Sequence, residues 1–251
     1  MKILCVSDQI DPLVYSTQAK ERFSDIDLIL CAGDLPSDYI DFIVSTLNRQ
    51  TYFIFGNHNL SEFGYYHKQK KHSGAHPTWG DLQRTELDMR GNFGAIYAGF
   101  KALRDKTIRI TLPNGKTRPL LIAGASGSIR YNNGLNQYTN RQMFIKLLAL
   151  LPALIINRIR YGTYLDIFLT HASPRHIHDK EDPCHRGFDC FNWFIHHFQP
   201  TFLVHGHIHL YDMNSPRVTQ VGKTTVVNAY SHTILDLNEA SGRSVQTEET
   251  E

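Results

Sequence analysis

Residues 28–59 read LILCAGDLPSDYIDFIVSTLNRQTYFIFGNHN. Two short apolar runs, 28–32 and 52–55, flank a segment that carries Tyr39, Ile40, Ile43 and Leu47 at helical spacing. Runs of four or five apolar residues have the length of buried strands, and the second is rich in aromatic and β-branched side chains. Ser37 is placed to cap the intervening helix over Ser37–Leu47. Strand, helix and strand in so short a span make a βαβ unit, which predicts an α/β fold with a largely parallel sheet. Each run also ends in a polar motif that contains glycine: Gly33-Asp34 after the first, Gly56-Asn57-His58-Asn59 after the second. The carboxyl ends of strands in open α/β sheets are where ligands gather.

On either side of this segment the same grammar recurs. An N-terminal run at 3–7 leads into Asp8; a run at 165–170 ends in His171; a run at 201–204 ends in His205-Gly206-His207-Ile208-His209. One such motif is usually a structural turn, but five strand ends bearing only oxygen and imidazole donors are a pattern. Between them, 107–112 and 118–124 flank Pro113-Asn114-Gly115-Lys116 and predict a β-hairpin, since Asn-Gly suits a tight primed turn. Helices are expected over 141–151 and 189–197, and a closing pair of strands over 224–237. His196 and His197 fall on the second of these helices and read as a solvated or packing pair.

Residues 60–92 break the rhythm. They are polar and aperiodic, and they hold the basic run 68–72, so they read as an inserted excursion with a solvated charged face. No repeat or low-complexity linker divides the chain, and a single domain over 1–251 is expected.

Bulk properties narrow the function. A net charge of +2 argues against coating nucleic acid or an anionic membrane. Fourteen histidines point toward metal ligation. The four cysteines, Cys5, Cys31, Cys184 and Cys190, form no CxxC pair and suggest no disulfide framework. The opening MKILCVSD turns polar too soon for a secretory signal, so a cytoplasmic protein is expected. The longest apolar stretch, 143–156, is interrupted by Lys146 and Pro152 and is too short to cross a bilayer. It reads as a buried helix ending near Pro152, followed by surface charge at Arg158 and Arg160.

Taken in order, Asp8, Gly33-Asp34, Gly56-Asn57-His58, His171 and Gly206-His207-Ile208-His209 resemble the calcineurin-like metallophosphoesterases. The pattern of that family runs D-x-H, G-D, G-N-H-D/E, a lone H, then G-H-x-H. The segments Gly127-Ser128-Ile129-Arg130-Tyr131, Gln137-Tyr138-Thr139 and His185-Arg186-Gly187-Phe188 are also similar to a bacterial-type branch of it. The resemblance implies a four-layer α/β/β/α sandwich and two divalent cations bridged by Asp34. Asp8 and His209 would complete site one; Asn57, His171 and His207 would complete site two. Manganese is the expected metal, with iron, zinc, nickel or magnesium as alternatives. A carboxylate can bridge and offset two cations, and neutral imidazoles suit borderline metals.

The implied reaction is hydrolysis of a small phosphomonoester or phosphodiester by a metal-bridging hydroxide. The cations would stand roughly 3.5–4 Å apart. His58 would act on the substrate rather than bind metal. Arg130 and His185 are candidates for substrate contact. Two departures stand out: Ile10 replaces the histidine of D-x-H, and Asn59 replaces the acidic residue after G-N-H. Asp11 lies one position beyond Ile10 and is an alternative ligand. The departures keep open a protein-interaction scaffold that has lost catalytic power. A nuclease using the basic run is the third alternative, disfavoured by the near-neutral charge.

Overall fold

The computed structural model describes residues 1–67, 94–112, 115–212 and 215–237. Strand β1 (Lys2–Ser7) pairs in parallel with β2 (Leu28–Cys31), which pairs in parallel with β3 (Gln50–Phe53) and then β4 (Ile96–Tyr97). Helix α1 (Ala19–Arg22) lies between β1 and β2, and α2 (Ser37–Leu47) makes the crossover from β2 to β3. The final strand, β13 (Ser231–Asp236), closes this sheet antiparallel to β1.

A second sheet has the order β11-β12-β10-β9-β6-β5. Its members are β5 (Ala102–Thr111), β6 (Thr117–Ala125), β9 (Ile167–Thr170), β10 (Phe202–His205), β11 (Val218–Val221) and β12 (Thr224–Asn228). The expected hairpin is β5 with β6, paired antiparallel with a bulge between Asp105 and Arg109. Its turn residues Pro113 and Asn114 lie outside the described residues, and Gly115 beside them takes a positive φ of 76°. The small pair β7 (Ser128–Ile129) and β8 (Gln137–Tyr138) precedes α4 (Asn140–Leu148), α5 (Leu151–Tyr161) and, later, α6 (Asp189–Phe198).

Alternation along each strand explains the layering. Ile3, Cys5, Leu28, Leu30 and Tyr52 of the first sheet pack against Leu120, Ile122, Ile167, Leu169, Phe202 and Val204 of the second. Their neighbours one residue along face outward. Leu4, Val6, Ile29 and Cys31 meet Tyr39, Ile40 and Ile43 of α2, while Leu121, Phe168 and Leu203 meet Met143, Leu154, Phe191 and Phe194 of α4–α6. Strands buried on both faces explain why they read as unbroken apolar runs. The result is the four-layer α/β/β/α sandwich.

Several local expectations need correction. Ser37 does not cap α2. Pro36 takes the N-cap position, with no side-chain cap, and the Ser37 hydroxyl instead donates to Glu62 at 2.8 Å. Pro152 does not end a helix; it sits in the first turn of α5, where its missing N–H costs nothing. The apolar stretch is therefore two helices meeting at 45° rather than one, and no single described helix is long and apolar enough to cross a membrane. Nor is the second helix wholly buried. Leu154 and Asn157 face inward, but Ile155, Ile156 and Ile159 are exposed. Arg158 and Arg160 lie within α5, on its exposed side, rather than after it. Of the 60–92 excursion, only the short helix α3 (Phe63–Tyr66) and its flanks to His67 fall within the described residues; the basic run 68–72 does not.

Candidate metal centre

The sandwich brings the carboxyl ends of β1, β2, β3, β9 and β10 to one rim, because all five run in parallel within their sheets. Asp8 and Asp34 follow β1 and β2, Asn57 and His58 follow β3, His171 follows β9, and His207 and His209 follow β10. Oxygen donors thus come from one sheet and the imidazoles of His171, His207 and His209 from the other.

Backbone shape at this rim is unusual. Asp8, Asp34 and His207 take positive φ values of 64°, 55° and 68°. Non-glycine residues in this region cost roughly 1–3 kcal/mol each, and such strain collects at functional sites. Glycine is required where the walls close in. A Cβ on Gly56 would lie 2.5 Å from the His171 ring, and one on Gly206 would lie 2.5 Å from the Asp8 carboxylate.

Asp34, His171 and His207 each offer one donor atom, all within 4.8 Å of one another. His171 is fully buried, and its Nδ1–H donates to the Ala32 carbonyl at 2.8 Å. That bond turns Nε2 toward Asn57 Oδ1 at 3.2 Å and Asp34 Oδ2 at 3.3 Å. His207 is held in the opposite sense: Nε2–H donates to the Cys184 carbonyl at 2.6 Å, which leaves Nδ1 as the ligating atom. Outer hydrogen bonds of this kind set the tautomer and aim of a metal-binding histidine.

Charge in the cluster is tuned in the same direction. Burial alone would raise the Asp34 pKa, but the charge and hydrogen bond of His171 outweigh it and bring the carboxyl down to about 2. Burial alone would lower His171; the charge and hydrogen bond of Asp34, then the charge of Asp8, outweigh it and raise the imidazole. A buried imidazole facing two carboxylates calls for positive charge, which a cation on Nε2 supplies as well as a proton does. Burial, reinforced by the charge of His171, pushes His207 down to about 4 and keeps it in the neutral, ligating form.

Asp8 provides the clearest sign of a missing partner group. Its Oδ2 accepts the His207 backbone N–H at 2.8 Å, yet its Oδ1 is buried with no hydrogen-bond partner, 3.7 Å from His209 Nε2. Buried carboxylate oxygens are rarely orphaned, and an ion between Asp8 and His209 would satisfy this one. The donor set therefore fits a metal pair: Asp34, Asn57, His171 and His207 around one position, Asp8 and His209 beside it.

Ile10, where the family pattern has histidine, stands 44% exposed, and Asp11 does not turn toward the site in its place. The Asp11 carboxylate turns into the fold, where it accepts from Ser231 Oγ at 2.5 Å, His232 Nδ1 at 2.6 Å and the Leu13 backbone at 2.8 Å. His209 is braced instead by the Tyr211 hydroxyl at 2.6 Å and by the Tyr230 ring at 4.9 Å.

Among the other candidates, His58 is exposed and its backbone N–H donates to Asp34 Oδ1 at 2.7 Å. Asn59 gives its amide N–H to the Asp34 carbonyl at 2.9 Å. His185 lies beside the cluster, its ring 5.4 Å from that of His207. Arg130 points to the start of α4, donating to Gln142 at 3.2 Å, and so is committed away from the donor atoms. His197 bonds back to the Trp193 carbonyl on α6.

The pattern did not single out Tyr131, whose hydroxyl accepts the Asn57 amide N–H at 3.2 Å and so points Oδ1 at the cluster. Nor did it single out Asn136, which donates to the Phe55 and Gly56 carbonyls and ties down the end of β3. The only hint was their position in or beside the segments 127–131 and 137–139.

Comparison with known proteins agrees with this geometry. No curated protein sequence matches the chain. Two crystal structures share its fold. One has a TM-score of 0.61 at 13% identity and covers 100% of this chain and 99% of its own. The other, TT1561 of Thermus thermophilus, has a TM-score of 0.56 at 15% identity, covering 99% of this chain and 98% of its own. At such identities the likeness speaks to fold alone. The family model for calcineurin-like phosphoesterase matches residues 1–211, a span that takes in every donor from Asp8 to His209. Fold, ordered donors and sequence model converge, and the chain belongs to the calcineurin-like phosphoesterase family.

Proposed function

We propose that this chain is a metal-dependent hydrolase of phosphomonoesters or phosphodiesters, working with two divalent cations. The observation that carries the proposal is the meeting of Asp34, His171 and His207 within 4.8 Å, next to the orphaned buried oxygen of Asp8. Asp34 would bridge; Asn57, His171 and His207 would hold one ion, and Asp8 and His209 the other. Manganese is the proposed native metal at the oxygen-rich position. The ions would supply a Lewis-acid clamp on the phosphate and acidify the attacking water.

The protein's own part is positioning and proton transfer. Asn57, aimed by Tyr131, and His171, aimed by Ala32, keep their donors fixed before any ion arrives. His58 is exposed while its backbone is pinned to Asp34, which suits delivery of a proton to the leaving oxygen. His185, whose ring lies 5.4 Å from that of His207, is the proposed contact to the phosphate.

The test is turnover of nitrophenyl phosphate and bis-nitrophenyl phosphate with manganese, magnesium, zinc, iron and nickel in turn. Turnover that needs a divalent ion supports the proposal. Tight metal binding without turnover of any ester would favour an interaction scaffold, the reading for which Ile10 and Asn59 speak.

A further inference from the structure

The loop between β9 and α6 carries more chemistry than the dinuclear centre uses. Its frame is rigidly braced. The Arg175 guanidinium holds Asp179 and Glu181, each at 2.6 Å. The Gly187 N–H donates to Asp179 at 3.0 Å, and the Lys180 N–H donates to the His185 carbonyl at 3.2 Å. This closure folds the segment Asp182-Pro183-Cys184-His185 onto itself.

Three different metal-binding groups meet there. Cys184 Sγ lies 2.8 Å from Asp182 Oδ1 and 3.4 Å from His185 Nδ1. His185 Nδ1 in turn lies 2.9 Å and 3.0 Å from the two Asp182 oxygens. A tetrahedral zinc ion with bonds of about 2.3 Å to sulfur and about 2.0–2.2 Å to nitrogen and oxygen would need donor separations of roughly 3.3–3.6 Å. The sulfur–nitrogen edge already has about that length, the nitrogen–oxygen edge needs to open by about half an ångström, and the sulfur–oxygen edge by about 0.8 Å, within reach of a rotation of the Asp182 carboxylate. Asp182 and His185 keep 42% and 30% of their side chains exposed, so an ion can enter and retain a solvent position.

We propose that Asp182, Cys184 and His185 form a third metal site, selective for zinc or another thiolate-preferring divalent ion. It uses no donor of the Asp34 centre and shares with the proposed hydrolytic site only His185, so a readout from the Cys184 sulfur, which needs no turnover, tells the two readings apart. The two sites are nonetheless mechanically joined, because the Cys184 carbonyl is the group that orients His207. Binding would release the Cys184 proton and move the ring proton of His185 to Nε2, as ligation of thiol and imidazole requires. His185 would then present an N–H donor on the edge of the ring away from the ion.

Cobalt(II) titration of the reduced full-length chain tests this directly. The Asp34 centre offers only nitrogen and oxygen donors, and Cys5, Cys31 and Cys190 are buried in the apolar layers. A thiolate-to-cobalt charge-transfer band therefore reports Cys184. The expected result is a band that saturates at about one ion per chain, vanishes in Cys184→Ala, and needs at least about tenfold more cobalt in His185→Ala. It should survive Asp34→Asn, which disables the other centre. Absence of the band in the folded unmodified chain overturns the proposal, as does a band undiminished in Cys184→Ala. Should that variant fail to fold, zinc protection of Cys184 from alkylation in the unmodified chain supports the site, and equal labelling with and without zinc overturns it.

Discussion

The two halves of the proposed metal centre are built from the same rim but held with very different care. Around His171, each donor is aimed by a hydrogen-bond partner: Ala32 for His171, Cys184 for His207, Tyr131 for Asn57. Around Asp8, one carboxylate oxygen has no partner at all, His209 is 36% exposed, and Ile10 offers an alkyl group where a nitrogen is expected. Pre-aimed donors lose little freedom on binding, whereas the open half must organise its ligands as the ion arrives. Losing one imidazole therefore need not dismantle a dinuclear site. It makes the halves unequal, with one expected to keep its ion and the other to exchange it.

The largest effect tests what the halves share. Asp34→Asn should abolish turnover and lower the content of both metals, since the bridging charge serves each; two retained ions with normal activity would reduce Asp34 to a turn residue. Next comes His58→Ala, which should lower kcat by about 10²–10⁴-fold while the occupancy of both halves stays constant. The deficit should shrink for nitrophenyl esters, whose leaving group needs no proton. An equal loss with alkyl esters would remove the general-acid role.

Smaller changes separate the halves. Tyr131→Phe removes the partner of Asn57 and should weaken the tight ion by about 10–100-fold, leaving the loose one unaffected. Calorimetry on the unmodified chain should show two unequal metal affinities, with the weaker ion lost readily to a chelator. Ile10→His should tighten that weaker ion, by up to about tenfold on the same scale. Two equal, tight sites in the unmodified chain would erase the distinction between the halves.

The smallest expected effect concerns acid. His178 Nδ1 bonds to His205 Nε2 at 2.9 Å at the end of β10, and His178 reaches Thr219 at 2.8 Å. Burial lowers His178 to about 4; burial and then the His178 charge lower His205 well below its ordinary value. Both rings bind fewer protons folded than unfolded, so their contribution is complete above about pH 6.5 and drains away as pH falls toward about 4. Thermal unfolding should therefore show Tm falling by several degrees between pH 7 and 4.5, at about 2–4 °C per kcal/mol. A flat profile would show that the β10 side of the rim carries no such liability.

Much of this molecule was legible in local pattern. Residues 28–59 announce their βαβ unit because strands buried on both faces must be apolar throughout, and because polar donors can only follow where such a strand stops. That rule placed Asp8, Asp34, Asn57, His171, His207 and His209 at strand ends and gave their order. It also left errors wherever a local signal had two uses. Ser37 looked like a cap but bonds to Glu62, 25 residues away. Pro152 looked like a stop but opens a helix.

Only the tertiary structure decided what each donor can do. Asp11 was an open alternative as a ligand until Ser231 and His232, 220 and 221 residues away in sequence, took up its carboxylate. Tyr131 aims Asn57 across 74 residues, and Cys184 aims His207 across 23. The physical reason is common to all of them. A donor's identity is written in its own residue, but the direction of its lone pair is set by the group packed against its other side, and that neighbour is chosen by how two sheets stack.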